Sequence, residues 1–385
     1  MKPNEILKAY GPDYKNMTKR LLQAADIAAE LSPGMHIGIK PNLMAPVPAK
    51  FGATTHPEIV AGIIEYLHEH GFNDIAIYEG SWVGDVTSDA FEYCGFRQLS
   101  QEYGVPLFDA QKDTAHTADC AGMELTVCDC VKRIDYLINV PVLKGHGQTK
   151  MSCALKNLKG LLPNGEKRRF HACGLHKPIA HLNTYLKPQL IVVDHICGDP
   201  DLEDGGNPLV RNCVMVAKDP VLTDAYGAAL LGYEVSEIPY IAMAEDLGCG
   251  SSDLSKAQIK TLEGTEFEEV PAERRLLSIR YAVEEVESCS ACYGMLMGAL
   301  ARLKDEGLLE KLPCRISIGQ ANRGKTGALG IGLCCADFER SISGCPPKAD
   351  QIYEELKALL SDEEACRQLT EAEAAAAKGQ GIEFI

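Results

Sequence analysis

Over roughly the first 245 residues, short apolar runs rich in β-branched side chains alternate with segments whose apolar positions recur every three or four residues. A strand buried on both faces reads as an unbroken apolar run, and a helix returning the chain to the next parallel strand carries one apolar face. The alternation therefore restricts the chain to an α/β fold, a mostly parallel sheet with flanking helices. Strands are expected at His36–Leu43, Asp74–Tyr78, Glu124–Cys128, Tyr136–Val142, Leu190–Ile196 and Val214–Ala217. Pro57–His70 reads as a helix with Ile59, Ile63, Ile64 and Leu67 on one face, and Ser88–Tyr103 as another, capped by Thr87 or Ser88. Asp219-Pro220 opens an Ala-rich helix running to Leu231, with proline in the first turn.

This pattern ends near residue 250, which divides the chain into an α/β domain with a basic cleft (1–250), a polar, Glu-rich linker (251–275) and a smaller α/β cysteine-rich module (276–385). The net charge of −16 argues against a general nucleic-acid binder, which must neutralise phosphates. No apolar run approaches the ~18 residues of a membrane span, and the N-terminus lacks the apolar segment of an export signal. A cytoplasmic protein is expected. There the sixteen cysteines stay reduced, leaving packing thiols, catalytic thiols or metal ligands. Cys153, Cys197, Cys213 and Cys249 stand singly among small or apolar neighbours and read as packing residues.

The C-terminal cysteines are arranged differently. Cys289 and Cys292 form a CxxC before a helical pattern, Cys334 and Cys335 end the run GIGLCC, and Cys345 begins CPP before another helical stripe. A helix entrance stabilises a thiolate, and Cys-Pro recurs among cluster ligands. Three such loops can converge on one 4Fe–4S cluster, held by Cys289, Cys292, Cys345 and one of Cys334 and Cys335. Structural zinc and metal-free thiols are the competing readings. Cys314 and Cys366 stand outside any motif.

The runs CSAC, GIGLCC and GCPPKADQI resemble the proximal-cluster module of hydrogenase small subunits and the related subunit of respiratory complex I, which implies the same cluster. IKPNL, TTHPE, INVPVLKGHGQTKMSCALKNLKG, VDHICG and DPVLTDAYGA resemble the iron–sulfur family catalogued as domain of unknown function 362. Many of its members carry an inserted ferredoxin-like cysteine run that this chain lacks. That resemblance implies a fold and a cluster but no reaction.

The charge is not spread evenly. Between Pro141 and Lys187 nine basic residues (Lys144, Lys150, Lys156, Lys159, Lys167, Arg168, Arg169, Lys177 and Lys187) face Glu166 alone, giving +8 and leaving −24 on the rest. Four histidines, His146, His171, His176 and His181, share the window. LKGHG reads as a Gly loop following a strand, and its backbone amides with flanking lysines suit an anionic small molecule such as a phosphate, a carboxylate or an acyl adenylate. The alternative is a solvated face that docks an acidic redox partner protein.

Lys144, His146, Lys156 and His171 are the catalytic candidates. Lys40, Asn42, His56, Glu79, Lys159 and Asp194 are the substrate-binding ones, since most end a strand or follow one. His56, His146, His171 and Asp194 would also suit a second metal ion in the N-terminal domain. PVLKGHG with the later histidine is similar to the Lys/His arrangement of nickel-pincer lactate racemases, which implies related roles for Lys144, His146 and His171. Gly319–Thr326 matches the P-loop pattern, but the Gly-rich run after it offers no helix to aim amides at a phosphate. The expectation is a cluster-dependent redox enzyme acting on a small anionic metabolite. The alternatives are an electron-transfer or binding module, and a metal-dependent non-redox enzyme with a structural cluster.

Overall fold

The computed structural model describes residues 1–206, 208–262 and 275–379, divided into two compact units, Met1–Ala272 and Glu273–Ile385. Strands of the first unit are β1 (Glu5–Tyr10), β2 (Ile37–Pro41), β3 (Ile75–Glu79), β4 (Leu107–Asp109), β5 (Ala115–Cys120), β6 (Met123–Cys128), β7 (Tyr136–Val140), β8 (Lys144–His146), β9 (Lys150–Ser152), β10 (Leu190–His195), β11 (Cys213–Ala217) and β12 (Gln258–Thr261). Its helices are α1 (Tyr14–Ala24), α2 (Pro57–Glu69), α3 (Thr87–Tyr93), α4 (Phe96–Tyr103), α5 (Ala154–Asn157), α6 (Asn164–Cys173), α7 (His176–Tyr185), α8 (Pro220–Leu230) and α9 (Pro239–Asp246).

Eight strands form one sheet in the order β12-β1-β11-β10-β7-β2-β3-β4. It is mostly parallel; only β11 runs against both of its neighbours. Alternate residues feed two cores. Ile37, Ile39, Ile75, Ile77, Ile138, Val192 and Val214 face one with α1 and α2, while Ala76, Leu137, Ile191, Val193 and Met215 face the other with α7 and α8. Every residue of β2, β3, β7, β10 and β11 is buried, which is why these strands read as continuous apolar runs.

Three expectations need correction. The helix expected over Ser88–Tyr103 is two, broken where Gly95 takes a φ of +80°, and Val86 rather than Thr87 or Ser88 holds its N-cap position. LKGHG is no open loop, because β8 pairs antiparallel with β9. The expected linker contributes β12, which pairs with β1, while its Glu-rich part over 263–274 lies outside the described residues.

The second unit carries β13 (Val283–Glu285), β14 (Ile316–Ile318), β15 (Leu329–Ile331) and β16 (Arg340–Ile342), a small sheet paired in chain order and parallel throughout. Its helices are α10 (Ser290–Asp305), α11 (Ala349–Leu360) and α12 (Glu363–Gly379). Leu296, Leu300 and Leu303 of α10 and Ile352 and Leu356 of α11 are buried, as their helical spacing requires. Gly319–Thr326 leads through a short 3-10 turn to β15 rather than into a helix, so the P-loop match lacks its phosphate-binding element. No helix among the described residues is long and apolar enough to cross a membrane.

Candidate functional site

From β2 the chain proceeds outward through β3 and β4, whereas β7, β10 and β11 build the sheet the other way. Ligands of open α/β sheets occupy the crevice at the carboxyl ends of strands where the order reverses in this way. A pocket of about 520 Å³, part of it open to solvent, lies beside the carboxyl ends of β2 and β3. Lys40, Asn42 and Met44 reach it from the end of β2, and Glu79, Gly80, Ser81 and Trp82 from the end of β3. Ser152 ends β9, and the segment after it adds Lys156, Asn157, Lys159 and Gly160; Lys167 comes from α6 and Glu203 from the loop following β10.

Each cation here has its own environment. Lys40, fully buried, sits 2.7 Å from Glu79 and donates to the Pro41 carbonyl oxygen at 2.6 Å. The Glu79 carboxylate also accepts the Leu43 and Gly80 backbone N–H groups, each at 2.7 Å. Gly160 packs on this pair: a Cβ there would fall 2.6 Å from Lys40 Nζ, so the close approach requires glycine. Lys167 donates to the carbonyl oxygens of Gly80 and Ser81, both at 2.8 Å, and burial pushes it down to about 8. Burial also lowers Lys156, although Glu203 lies 3.7 Å away. Lys159 falls to about 7 through burial and the nearby Lys156 charge. The Ser152 hydroxyl oxygen is buried, lines the pocket and has no hydrogen-bond partner among the described residues.

A polar chain runs behind this lining. Lys159 Nζ is 3.0 Å from His171 Nε2, and His171 Nδ1 is 3.1 Å from Gln148 Oε1. His146 Nδ1 accepts the backbone N–H groups of Gln148 and Thr149, which leaves the ring proton on Nε2, 2.5 Å from Glu203. Burial lowers His146 to about 4 and His171 to about 3, so both rings are neutral near pH 7. Burial opposes ionisation of Glu203, but His146, Lys156 and Lys144 surround its carboxyl and hold it well below the usual range. Lys144 donates to Asn42 Oδ1 at 3.3 Å and to the carbonyl oxygens of Ala53 and Glu203.

Of the residues singled out in the sequence, the fold thus brings Lys40, Asn42, Glu79, Lys156 and Lys159 into the pocket lining. Lys144, His146 and His171 stand behind it. His56 and Asp194 form a pair of their own: the carboxylate takes both the His56 backbone N–H and ring Nδ1 at 2.8 Å. Burial disfavours the charged ring, but Asp194 outweighs it and pushes His56 up to about 10. His56 and Asp194 therefore do not join His146 and His171 in one donor set, and among the described residues no three His, Cys, Asp or Glu side chains are grouped to hold a single ion. Sequence reasoning missed Ser152, Asn157 and Glu203. The last is one of three acids in the run DLEDGG, with no periodicity to mark it.

In the second unit the cysteine loops leave the carboxyl ends of β13, β15 and β16. Cys289 occupies the N-cap position of α10, and Cys292 lies inside its first turn rather than before it. Cys289 Sγ accepts from Gln320 Nε2 at 3.4 Å, and a Cβ at Gly332 would lie 3.8 Å from Cys292 Sγ. Burial raises Cys292 to about 12, helped by the neighbouring thiols of Cys289, Cys345, Cys334 and Cys335. Cys334 and Cys335 have different partners. Cys334 is half-buried, close enough to Cys289 to raise it, and hydrogen-bonds Arg323. Cys335 is fully buried, and its thiol donates to the Ser317 carbonyl oxygen at 3.5 Å. Cys289, Cys292, Cys334 and Cys345, with Gln320 and Arg323 beside them, are the residues of this unit that could hold a cofactor.

The chain belongs to the family described as Domain of unknown function (DUF362), which matches residues 37–229. All the pocket-lining residues fall within that span, and the cysteine loops of the second unit fall outside it. The chain is similar to the thylakoid-associated protein sll1697 of Synechocystis, with 25% identity over 234 residues covering 57% of this chain and 70% of that protein. It also bears a partial likeness to the lactate racemase apoprotein of Thermoanaerobacterium thermosaccharolyticum, at 12% identity and a TM-score of 0.36. That likeness covers 63% of this chain and 57% of the racemase.

Proposed function

We propose that this chain is an iron–sulfur protein that binds a small anionic metabolite in the lysine-lined pocket of its first unit and acts on it in a redox reaction. A 4Fe–4S cluster held by Cys289, Cys292, Cys334 and Cys345 would supply one-electron exchange. The observation that carries the anion reading is the pocket lining itself. Lys40, Lys156, Lys159 and Lys167 outnumber Glu79 and Glu203, and the Ser152 hydroxyl is left for a ligand to satisfy. Burial of these lysines argues against a docking face, because only Arg168, Arg169, Lys177 and Lys187 of the basic window are exposed, and Arg169 pairs with Glu166.

Trp82 lines the pocket and is the single tryptophan, so its fluorescence reports occupancy directly. Titration with small carboxylates and phosphates is expected to give a saturable change for at least one of them, weakened on the order of tenfold in Lys156→Ala. An anion prefers protonated lysines. Affinity should therefore be full below pH 7 and fall as the pH rises through about 7 and about 8, where Lys159 and Lys167 lose their protons. No saturable response from any member would overturn the anion reading and favour partner docking.

A further inference from the structure

Three of the four pocket lysines are held by oxygen. Lys40 has Glu79, Lys156 has Glu203, and Lys167 has the two carbonyl oxygens of Gly80 and Ser81. Lys159 differs. Among the described residues no carboxylate forms an ion pair with it, and its amino group lies 3.0 Å from the ring nitrogen Nε2 of His171. That ring meets the amide oxygen of Gln148 through Nδ1, at 3.1 Å. An amide oxygen only accepts, so the ring proton sits on Nδ1 and Nε2 offers a lone pair to Lys159. A neutral acceptor fixes the direction of the amine without stabilising a positive charge as a carboxylate would. Lys156 and Lys167, lining the same pocket, add repulsion against that charge.

An amine kept partly neutral beside two cations combines two functions in one cavity. The amine can attack an electrophilic carbon, and the cations can hold a carboxylate attached to that carbon. We propose that Lys159 is a catalytic nucleophile that forms an imine with a small carbonyl-bearing carboxylate, of the 2-oxo acid class. The proposal rests on the pocket being an anion site and names the chemistry of its ligand. Nζ attacks the carbonyl carbon, a C–N bond forms, and the carbonyl oxygen leaves as water. One proton taken up from solvent leaves the imine nitrogen protonated. Lys156 and Lys167 pair with the substrate carboxylate, and the Ser152 hydroxyl becomes available to the departing oxygen. The protonated imine then draws electrons from the neighbouring carbon, the reason buried lysines near other cations serve carbonyl substrates.

The test treats the full chain with pyruvate and cyanoborohydride, which delivers hydride to the C=N bond and leaves a stable secondary amine. Peptide mass spectrometry then locates the adduct. At pH 7 Lys159 is expected to be labelled at least ~10-fold faster than the exposed Lys177 and Lys187, because a larger fraction of it is neutral. Oxalate, which has no ketone or aldehyde carbon to attack, should suppress labelling of Lys159 and leave Lys177 and Lys187 unaffected. Lys159→Arg should lose the fast adduct; if that variant does not fold, the comparison of three lysines within the wild-type chain decides alone. Labelling of Lys159 no faster than of Lys177 and Lys187 would overturn the imine. If oxalate still perturbs Trp82 in that case, the anion site stands without the imine chemistry; if it does not, both readings fail.

Discussion

Cys334→Ser is expected to come out of an anaerobic preparation without the brown colour and iron of the parent chain, whereas Cys335→Ser keeps both. The two residues are neighbours in sequence, so a general disturbance of the GIGLCC turn would affect them alike. Cys289 feels the thiols of Cys334 and Cys345 but not that of Cys335, which is buried and donates to the Ser317 carbonyl oxygen. Losing a cluster thiolate leaves one iron without its protein ligand. Cys335→Ser keeps a hydroxyl that can donate to the same carbonyl oxygen, so its cost is on the order of 1 kcal/mol. Cys345→Ser should match Cys334→Ser. Cys366→Ser, on α12 with its thiol donating to the Leu359 carbonyl oxygen of α11, should match the parent. Iron content and the visible absorption of the four variants check this, and equal loss in Cys334→Ser and Cys335→Ser would undo the ligand assignment.

The second large effect is expected at Lys40 and Glu79, the ion pair in the pocket lining. Both side chains are almost fully enclosed, at 0% and 2% exposure, so removing either leaves the other as an uncompensated buried charge. Glu79→Ala and Lys40→Met should each destabilise the first unit by about 3–5 kcal/mol. The double variant should recover a good part of that loss, because no lone charge remains. Recovery will be incomplete, since the Leu43 and Gly80 backbone N–H groups also lose their acceptor. Urea unfolding followed through Trp82 measures all three variants. Single losses of less than 1 kcal/mol, or a double variant as unstable as their sum, would show that the pair is not buried as described.

Much of this architecture was legible in the sequence for a specific reason. Strands β2, β3, β7, β10 and β11 lie inside a sheet covered on both faces, and such strands cannot hide their apolar runs. β1 (EILKAY) has its apolar run broken by Lys8, and β8 and β9 are three-residue strands rich in glycine, lysine and serine, so neither pattern stood out. Lys40 and Glu79 were found because they sit at strand ends, where ligands of parallel sheets gather. The same rule drew in His56 and Asp194, yet the Asp194 carboxylate is already committed to His56. Which long-separated side chains share a cavity depends on loop paths, and the Gly-rich loop delivering Glu203 has no periodicity from which a path follows. The choice between Cys334 and Cys335 depends on which way a single 3-10 turn faces, something the letters CC do not encode.

The proposed cluster can be tested in one preparation. The full chain, prepared anaerobically and reconstituted with iron and sulfide, is expected to retain iron and acid-labile sulfide in equal amounts after desalting. On reduction it should give the low-temperature EPR signal of a 4Fe–4S centre. Retention of iron without labile sulfide, or of neither, would contradict it.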